Sequence, residues 1–303
     1  MNFEDYRAKK ILLVEDFLER VLPPISNPPS ILHEAMRYSI FAGGKRLRSL
    51  LSIATGDIYF LSDSVIVPPA SAIELIHTYS LIHDDLPAMD NDDFRRGKPT
   101  SHKKFGEAIA ILSGDALLTY AFFILSKYPQ EEEYAMRKVR VIEEVSKASG
   151  TPYGMVAGQV FDMENTDKNR KVEDIEKLHS TLVDLHSKKT GALISVAVKI
   201  GYIMGGATKK EEEFLDNYSK NIGIAFQIVD DVLDEISSQE KMGKRVKKDR
   251  EEGKLTYPLL FGVEKSIEMA RDHVEEAKSH LEHFGERGKI LSVIADFIVD
   301  REF

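Results

Sequence analysis

The sequence predicts an all-α protein built as one domain of about ten or more helices, 1–303. Three observations predict it. Apolar residues recur at helical three-and-four spacing along most of the 303 residues. No stretch alternates apolar and polar residues between hairpin-turn signals. Hydrophobic residues make up 43% of the chain, enough for a large core, and no repeat or low-complexity linker marks a boundary.

The elements follow in order. Asn2 to Leu22 carries Ile11, Leu12, Val14, Phe17, Leu18 and Val21 at helical spacing and stops at Pro23-Pro24. A second helix starts near Pro29-Ser30 and runs into Phe41. Gly43-Gly44 interrupts it, and Arg46 to Phe60 reads as a third. Ser62 to Pro69 reads as a connector, and Ala70 to Asp85 as a strongly apolar helix limited by Pro87. Phe105 to Leu125, Tyr134 to Lys147 and Gly154 to Glu164 are further helices. Val172 to Gly205 is periodic with a break near Thr190-Gly191. Thr208 is positioned to cap a helix through Gly223 to Ile236, with Glu211 to Glu213 in its first turns. Ser237 to Lys254 is polar, and Ser266 to Phe284 and Lys289 to Val299 close the chain.

Composition narrows the function classes. Cysteine is absent, so disulfides and thiolate metal sites are excluded, which fits a reducing, cytoplasmic setting. A net charge of −9 disfavours non-specific nucleic-acid binding. Met1 to Lys10 is charged and mixed, unlike a secretory signal. Charges interrupt the apolar stretches before the ~20 residues of a membrane span.

Chemistry concentrates in two aspartate clusters. Leu81 to Gly97 reads LIHDDLPAMDNDDFRRG, with Asp84, Asp85, Asp90, Asp92 and Asp93 ahead of Arg95 and Arg96. Divalent cations relieve repulsion among such carboxylates, and a phosphorylated ligand bridges cations and arginines. Pro87 should kink the backbone and bring Asp90 back toward Asp84. In Gln227 to Asp234, QIVDDVLD, Asp230 and Asp234 share a helix face, with Asp231 beside them and Phe226, Ile228, Val229, Val232 and Leu233 around them. Carboxylates in so apolar a setting require a metal or a base. Oxygen ligands without cysteine suit magnesium or manganese better than zinc.

Basic groups supply the counterpart. Lys45 and Arg48 stand three apart beside Gly43-Gly44, on one helix face; Lys188-Lys189-Thr190-Gly191 lies mid-chain; and Lys244, Arg245, Lys247, Lys248, Arg250 and Lys254 follow the second cluster. Two phosphate-bearing ligands are expected. There is no P-loop, no GxGxxG after a strand and no GxSxG or cysteine nucleophile.

HDDLPAMDNDDFRRG, GGKRLR, KTGAL, AFQIVDDVLD and the later GK…KLTYP resemble the trans-isoprenyl diphosphate synthases, closest to the bacterial farnesyl diphosphate synthases. The resemblance runs from about Ile31 to the C-terminal ADFIVDREF. It implies an isoprenoid synthase fold, a helical bundle around a deep central cavity, usually a homodimer. The implied reaction ionises an allylic diphosphate (dimethylallyl or geranyl) and joins the cation to isopentenyl diphosphate, with Mg2+ or in its place Mn2+. The departing pyrophosphate is the implied proton acceptor, so no protein base is assigned.

By the same resemblance, Asp84 and Asp90 are metal ligands with Asp85 supporting, and Asp230 is the principal ligand of the second cluster with Asp231 and Asp234 acting directly or through water. Arg95, Lys189 and Lys244 contact the allylic diphosphate. Lys45, Arg48, His77 and Arg96 form the isopentenyl diphosphate site, and Thr190 and Gln227 lie near the cation. Gln159 and Asp162, in GQVFDM, resemble a further family element. His77 stands two turns before Asp84 on an apolar helix, a spacing that lets it face the same cavity.

Tyr79 and Ser80, one turn before Asp84, fall where a growing prenyl chain would meet them. An aromatic there resembles the floor of farnesyl synthases, which implies a fifteen-carbon product. Three features depart from the family pattern: Ser49 for the proline of GGKRLRP, Lys247 for a glycine after GK, and a longer Leu178 to Ser187 segment before KTGAL. A geranylgeranyl diphosphate synthase is the alternative. A non-catalytic subunit would have lost an aspartate cluster, and a terpene cyclase would not need Lys45, Arg48 and Arg96.

Overall fold

The structure is a computed structural model that describes residues 2–167, 172–240 and 253–300, side chains of 237–240 excepted. Lys244, Arg245, Lys247, Lys248 and Arg250 lie outside these residues. The described chain is almost wholly helical, as its periodicity predicts. Backbone contacts group it into two compact units, 1–143 with 203–206 and 144–202 with 207–303.

In the first unit, α1 (Phe3–Val21) opens on Asn2, whose side chain accepts from the Asp5 N–H, and ends before Pro23. α2 (Ser30–Ile40) and α3 (Leu47–Ile58) flank the glycine pair, where Gly43, Gly44 and Arg46 all take positive φ. α4 (Asp63–Asp84) is the centre of the unit and packs against α1, α3 and α6. It starts at Asp63 rather than Ala70, so the expected connector is largely helix, with Pro68 and Pro69 inside. A proline there removes a backbone donor and crowds the carbonyl four residues back, at about 3 kcal/mol each. Burial of both rings with Val65, Ile66 and Val67 offsets that cost.

A small ribbon, β1 (Phe94–Arg95) against β2 (Lys98–Pro99), departs from the strand-free expectation. Arg96 and Gly97 have φ of 52° and 74°, the positive pair that a two-residue hairpin matched to strand twist needs. Strands this short carry no alternation, which is why the sequence hides them. Gly106, at φ 85°, separates α6 (Glu107–Lys127), which matches the helix expected from Phe105 to Leu125, from a short preceding helix, α5 (Ser101–Phe105), that was not expected. By length and composition, α4 and α6 could each cross a membrane, contrary to the expectation of charge-interrupted runs. α4 is mostly buried within its unit, whereas α6 leaves Ile111, Leu112 and Phe123 exposed. α7 (Ala135–Ser149) contributes residues to both units.

The second unit holds α8 (Met155–Glu164), α9 (Ile175–His186) and most of α10 (Ala192–Gly205). Between α9 and α10 the break expected at Thr190-Gly191 is a π-helical turn, Ser187–Gly191. α11 (Lys209–Glu240) begins as predicted at Thr208. The Thr208 N–H donates to Glu211 Oε2 at 2.8 Å and the Glu211 N–H to Thr208 Oγ1 at 3.4 Å, a reciprocal capping box. α11 packs on α13 (Val263–Ser279), α14 (Lys289–Val299) and the π turn. Thr256 caps the short α12 (Tyr257–Phe261).

Candidate functional site

In the first unit, the C-terminus of α4 presents Asp84 and Asp85. Successive helix positions diverge by about 100°, and the two carboxylates divide accordingly. Asp84 is half-buried, while Asp85 is buried at 4% exposure. Arg95 Nε and Nη2 donate to Asp85 Oδ1 at 2.8 and 2.6 Å. Burial pushes the Asp85 carboxyl above the usual carboxylate range; Arg95 pulls it back, and Asp92 and Asp90 push it further up. The loop over Pro87 folds back, with the Asp90 N–H donating to the Asp84 carbonyl at 2.8 Å and the Asn91 N–H to Leu86 O at 3.1 Å. Thr78, Leu81, Ile82, Asp85, Arg95 and Arg96 line a cleft beside this loop.

The glycine pair admits Arg96. Its Nη1 donates to the Gly43 carbonyl, and a Cβ on Gly44 would stand 2.6 Å from the guanidinium carbon. Lys45 and Arg48 do not share a helix face as expected, because α3 begins only at Leu47 and leaves Lys45 in the exposed loop. Arg46 is instead the buried anchor. In the left-handed conformation, its Nη2 donates to Ile40 O at 2.5 Å and its Nη1 lies 3.6 Å from buried Glu74. Glu74 Oε1 also accepts the Ser49 N–H at 3.1 Å, and Ser49 Oγ donates to Ala70 O at 2.8 Å. The serine that replaces the family's proline therefore supplies a donor that proline lacks. His77 is driven well below its ordinary pKa by burial and by Arg48, Arg96, Arg95 and Arg46, which makes it a neutral ring at neutral pH.

Tyr79 is buried, its ring edge-on to His83 at 5.7 Å. Burial and the Asp84 charge raise its pKa. His83 Nε2 lies 3.1 Å from Ile111 O and occupies the space a Cβ on Gly114 would need, 2.2 Å away. Ser80 Oγ turns back to the His77 carbonyl at 2.9 Å.

The second unit repeats the division of a DD pair. Asp230 and Asp234 are exposed and Asp231 is buried at 6% exposure. Asp231 Oδ1 accepts from Gln227 Nε2 at 2.8 Å, and Oδ2 accepts the Tyr257 backbone N–H at 3.0 Å. Thr190 Oγ1 donates to Gln227 Oε1 at 2.7 Å. The π turn that carries Lys189 and Thr190 is pressed between helices. A Cβ on Gly158 would stand 2.2 Å from Lys189 N, and one on Gly223 3.1 Å from Gly191 Cα. Lys189 donates to Asp162, while Gln159 is half-buried on the same α8. Beside the turn, His186 is buried against the Tyr257 ring at 5.8 Å, and burial lowers its pKa to about 3. Lys244 lies outside the described residues.

Sequence reasoning missed Arg46 with Glu74, His83 against Gly114, and the Tyr257 N–H. Each lay inside a quoted motif, Arg46 in GGKRLR, His83 at the head of HDDLPAMDNDDFRRG and Tyr257 in KLTYP, but a motif names a segment and not the partner atom.

The donor set fits a hard divalent cation. Every candidate ligand is a carboxylate oxygen, and among the described residues no group of three or more acidic or imidazole side chains forms a closed cage. Magnesium is ordinarily held by one or two carboxylates, with substrate phosphates and water completing the octahedron.

Comparison with known proteins places this geometry in context. The polyprenyl synthetase family model matches residues 29–295. A geranylgeranyl diphosphate synthase of Cyanophora paradoxa is 44% identical over 99% of this chain and 97% of its own. A farnesyl diphosphate synthase of Geobacillus stearothermophilus is 42% identical over 100% and 99%. The crystal structure of an FPP/GFPP synthase from Zymomonas mobilis superposes with a TM-score of 0.86 at 38% identity, covering 98% of this chain and 99% of that one.

Proposed function

The chain belongs to the polyprenyl synthetase family, and as a trans-prenyltransferase of that family we propose that it condenses isopentenyl diphosphate with dimethylallyl and then geranyl diphosphate, to release farnesyl diphosphate. The observation that carries the fifteen-carbon product is Tyr79, a buried aromatic one turn before Asp84, braced by His83. A geranylgeranyl product is the second reading, favoured by the 44% identity to the Cyanophora enzyme.

The roles follow from the donors each side chain offers. Asp84 and Asp90, with Asp85 behind them, and likewise Asp230 and Asp234, with Asp231 behind them, would each offer carboxylates to divalent metal, magnesium with manganese as substitute. Bound magnesium would stabilise the charge that develops on the diphosphate as it leaves. Arg95, Lys189 and Lys244 bind the allylic diphosphate; Lys45, Arg48, Arg96 and neutral His77 bind isopentenyl diphosphate. The Asp85–Arg95 and Asp162–Lys189 pairs support these roles, since each holds a cation in one orientation before substrate arrives. Thr190 and Gln227 face the positive charge of the reacting chain.

The continuous family match over 29–295 supports reading both units as one domain. The exposed apolar residues of α6 support a homodimer, and the cysteine-free composition supports a cytoplasmic setting. The test is to incubate the purified chain with both diphosphates and magnesium, with and without chelator, and to size the dephosphorylated product. Farnesol is expected; geranylgeraniol would select the second reading, and no condensation would refute both.

A further inference from the structure

Asp231 stands out among the acidic side chains of the second cluster because its surroundings are protein donors. It is buried while Asp230 and Asp234 on the same helix are exposed. Its two oxygens accept from Gln227 Nε2 and from the Tyr257 N–H. The direction of the whole hydrogen-bond chain follows from the chemistry of one group. Gln227 Nε2 lies 2.8 Å from Asp231 Oδ1, so the end of the Gln227 amide that faces Asp231 is the NH2. The opposite end, Oε1, then faces Thr190 at 2.7 Å, and an amide oxygen only accepts. The Thr190 hydroxyl proton is therefore committed to Gln227. Its oxygen keeps lone pairs, and no proton, for whatever lies on its other side.

Resting on the prenyl-transfer reading above, we propose that Asp231 is a positioning residue: anchored by the Tyr257 backbone, it fixes the Gln227 amide so that Thr190 offers lone pairs to the allylic cation, and it does not itself bind metal. An oxygen lone pair stabilises developing positive charge, whereas a hydroxyl proton aimed at the same point would oppose it. Asparagine at 231 reverses the chain. Its Oδ1 must serve the Tyr257 N–H, so its NH2 faces Gln227. The Gln227 amide flips, its NH2 donates to Thr190 Oγ1, and the threonine proton swings toward the reacting chain.

The kinetic experiment compares wild type, Asp231→Asn, Thr190→Val and the double variant with geranyl and isopentenyl diphosphates across a magnesium titration. Asp231→Asn is expected to lower kcat by about 10- to 100-fold, as loss of an outer-shell partner does. The magnesium activation constant and the KM for geranyl diphosphate should stay within about twofold, because ground-state binding is untouched. In the Thr190→Val background the same change should cost less than about threefold, because the two residues act through one chain. A tenfold rise in the magnesium constant, or losses that multiply, would overturn the proposal. Should Asp231→Asn not fold, Gln227→Met leaves the Asp231–Tyr257 bond in place and runs the same cycle; multiplicative losses there overturn it equally. Neutron diffraction supplies a readout that does not depend on turnover. The deuteron between Thr190 and Gln227 should sit on Thr190 Oγ1 in the wild type and on Gln227 Nε2 in Asp231→Asn, and an unchanged position refutes the assignment. A wild type that forms no prenyl product would instead refute the prenyl-transfer reading, leaving the hydrogen-bond chain to the neutron result.

Discussion

Truncating Tyr79 should lengthen the product. Its ring is 7% exposed and meets His83 edge-on at 5.7 Å, while His83 in turn fills the notch left by Gly114. The imidazole behind it rests on Gly114 and reaches the Ile111 carbonyl at 3.1 Å, which backs the aromatic on that side. A prenyl chain growing against this wall must force it, and overpacking a filled site costs about 1–3 kcal/mol. At about 1.4 kcal/mol per tenfold, that is roughly a 5- to 150-fold bias against adding the next isoprene unit. Tyr79→Ala should remove the bias and raise the ratio of twenty- to fifteen-carbon product by that factor. It should also cost about 3–5 kcal/mol of stability, as other buried aromatic truncations do. Tyr79→Phe keeps the bulk and should leave the product unchanged, and Tyr79→Leu should shift it by less than alanine. The assay sizes radiolabelled products after dephosphorylation, with a melting curve to establish that each variant is folded. A folded Tyr79→Ala enzyme with an unaltered product ratio would refute the reasoning, as would a Phe variant that shifts as far as Ala.

Other expectations follow from single contacts. Gly44→Ala places a methyl group 2.6 Å from the Arg96 guanidinium carbon at a φ of 127°. It should raise the KM for isopentenyl diphosphate by about tenfold, equivalent to about 1.4 kcal/mol, with a smaller effect on kcat. Ser49→Pro removes the N–H that buried Glu74 accepts at 3.1 Å and should lower unfolding stability by about 1–3 kcal/mol in urea titrations, with the m-value unchanged. His186 carries a pKa lowered from 6.5 to about 3 in the folded chain, so the unfolded state binds the extra proton. Its contribution is fully present above about pH 6.5 and is lost as pH falls toward about 3. His186→Leu should flatten the fall in urea midpoint between neutral and acid pH, and an unchanged slope would contradict the assignment.

The sequence made the long elements and the chemistry-bearing residue types legible, because both are written locally. Thr208 with Glu211 announces the start of α11 through a contact three residues long, and the structure uses it. The α4 start was hidden because a double proline argues for a connector by local rules, and burial of the helix overrides them. The β1–β2 ribbon was hidden because two-residue strands have no period to detect. Within the site, the family resemblance ranked the members of both DD pairs, Asp85 behind Asp84 and Asp231 behind Asp230, but spacing alone held no physical reason for that order. Which aspartate turns inward depends on Arg95, ten residues away, in one case, and on the Tyr257 N–H, 26 residues away, in the other. Spacing along a single helix contains neither partner.

The π turn at Ser187–Gly191 bears on how this chain tolerates insertions and deletions. An i→i+5 turn holds one residue more than the i→i+4 turns on either side. Deleting a single residue there would restore an unbroken α-helix from α9 into α10, a change that local propensity favours. It would also rotate everything upstream by about 100° relative to everything downstream, so that Lys189 and Thr190 could no longer both keep Asp162 and Gln227 as partners. The extra residue is thus a phase correction between two helices that must each keep its own face inward. Lineages of this chain should vary freely in length at its loops while holding the residue count between His186 and Ala192 fixed.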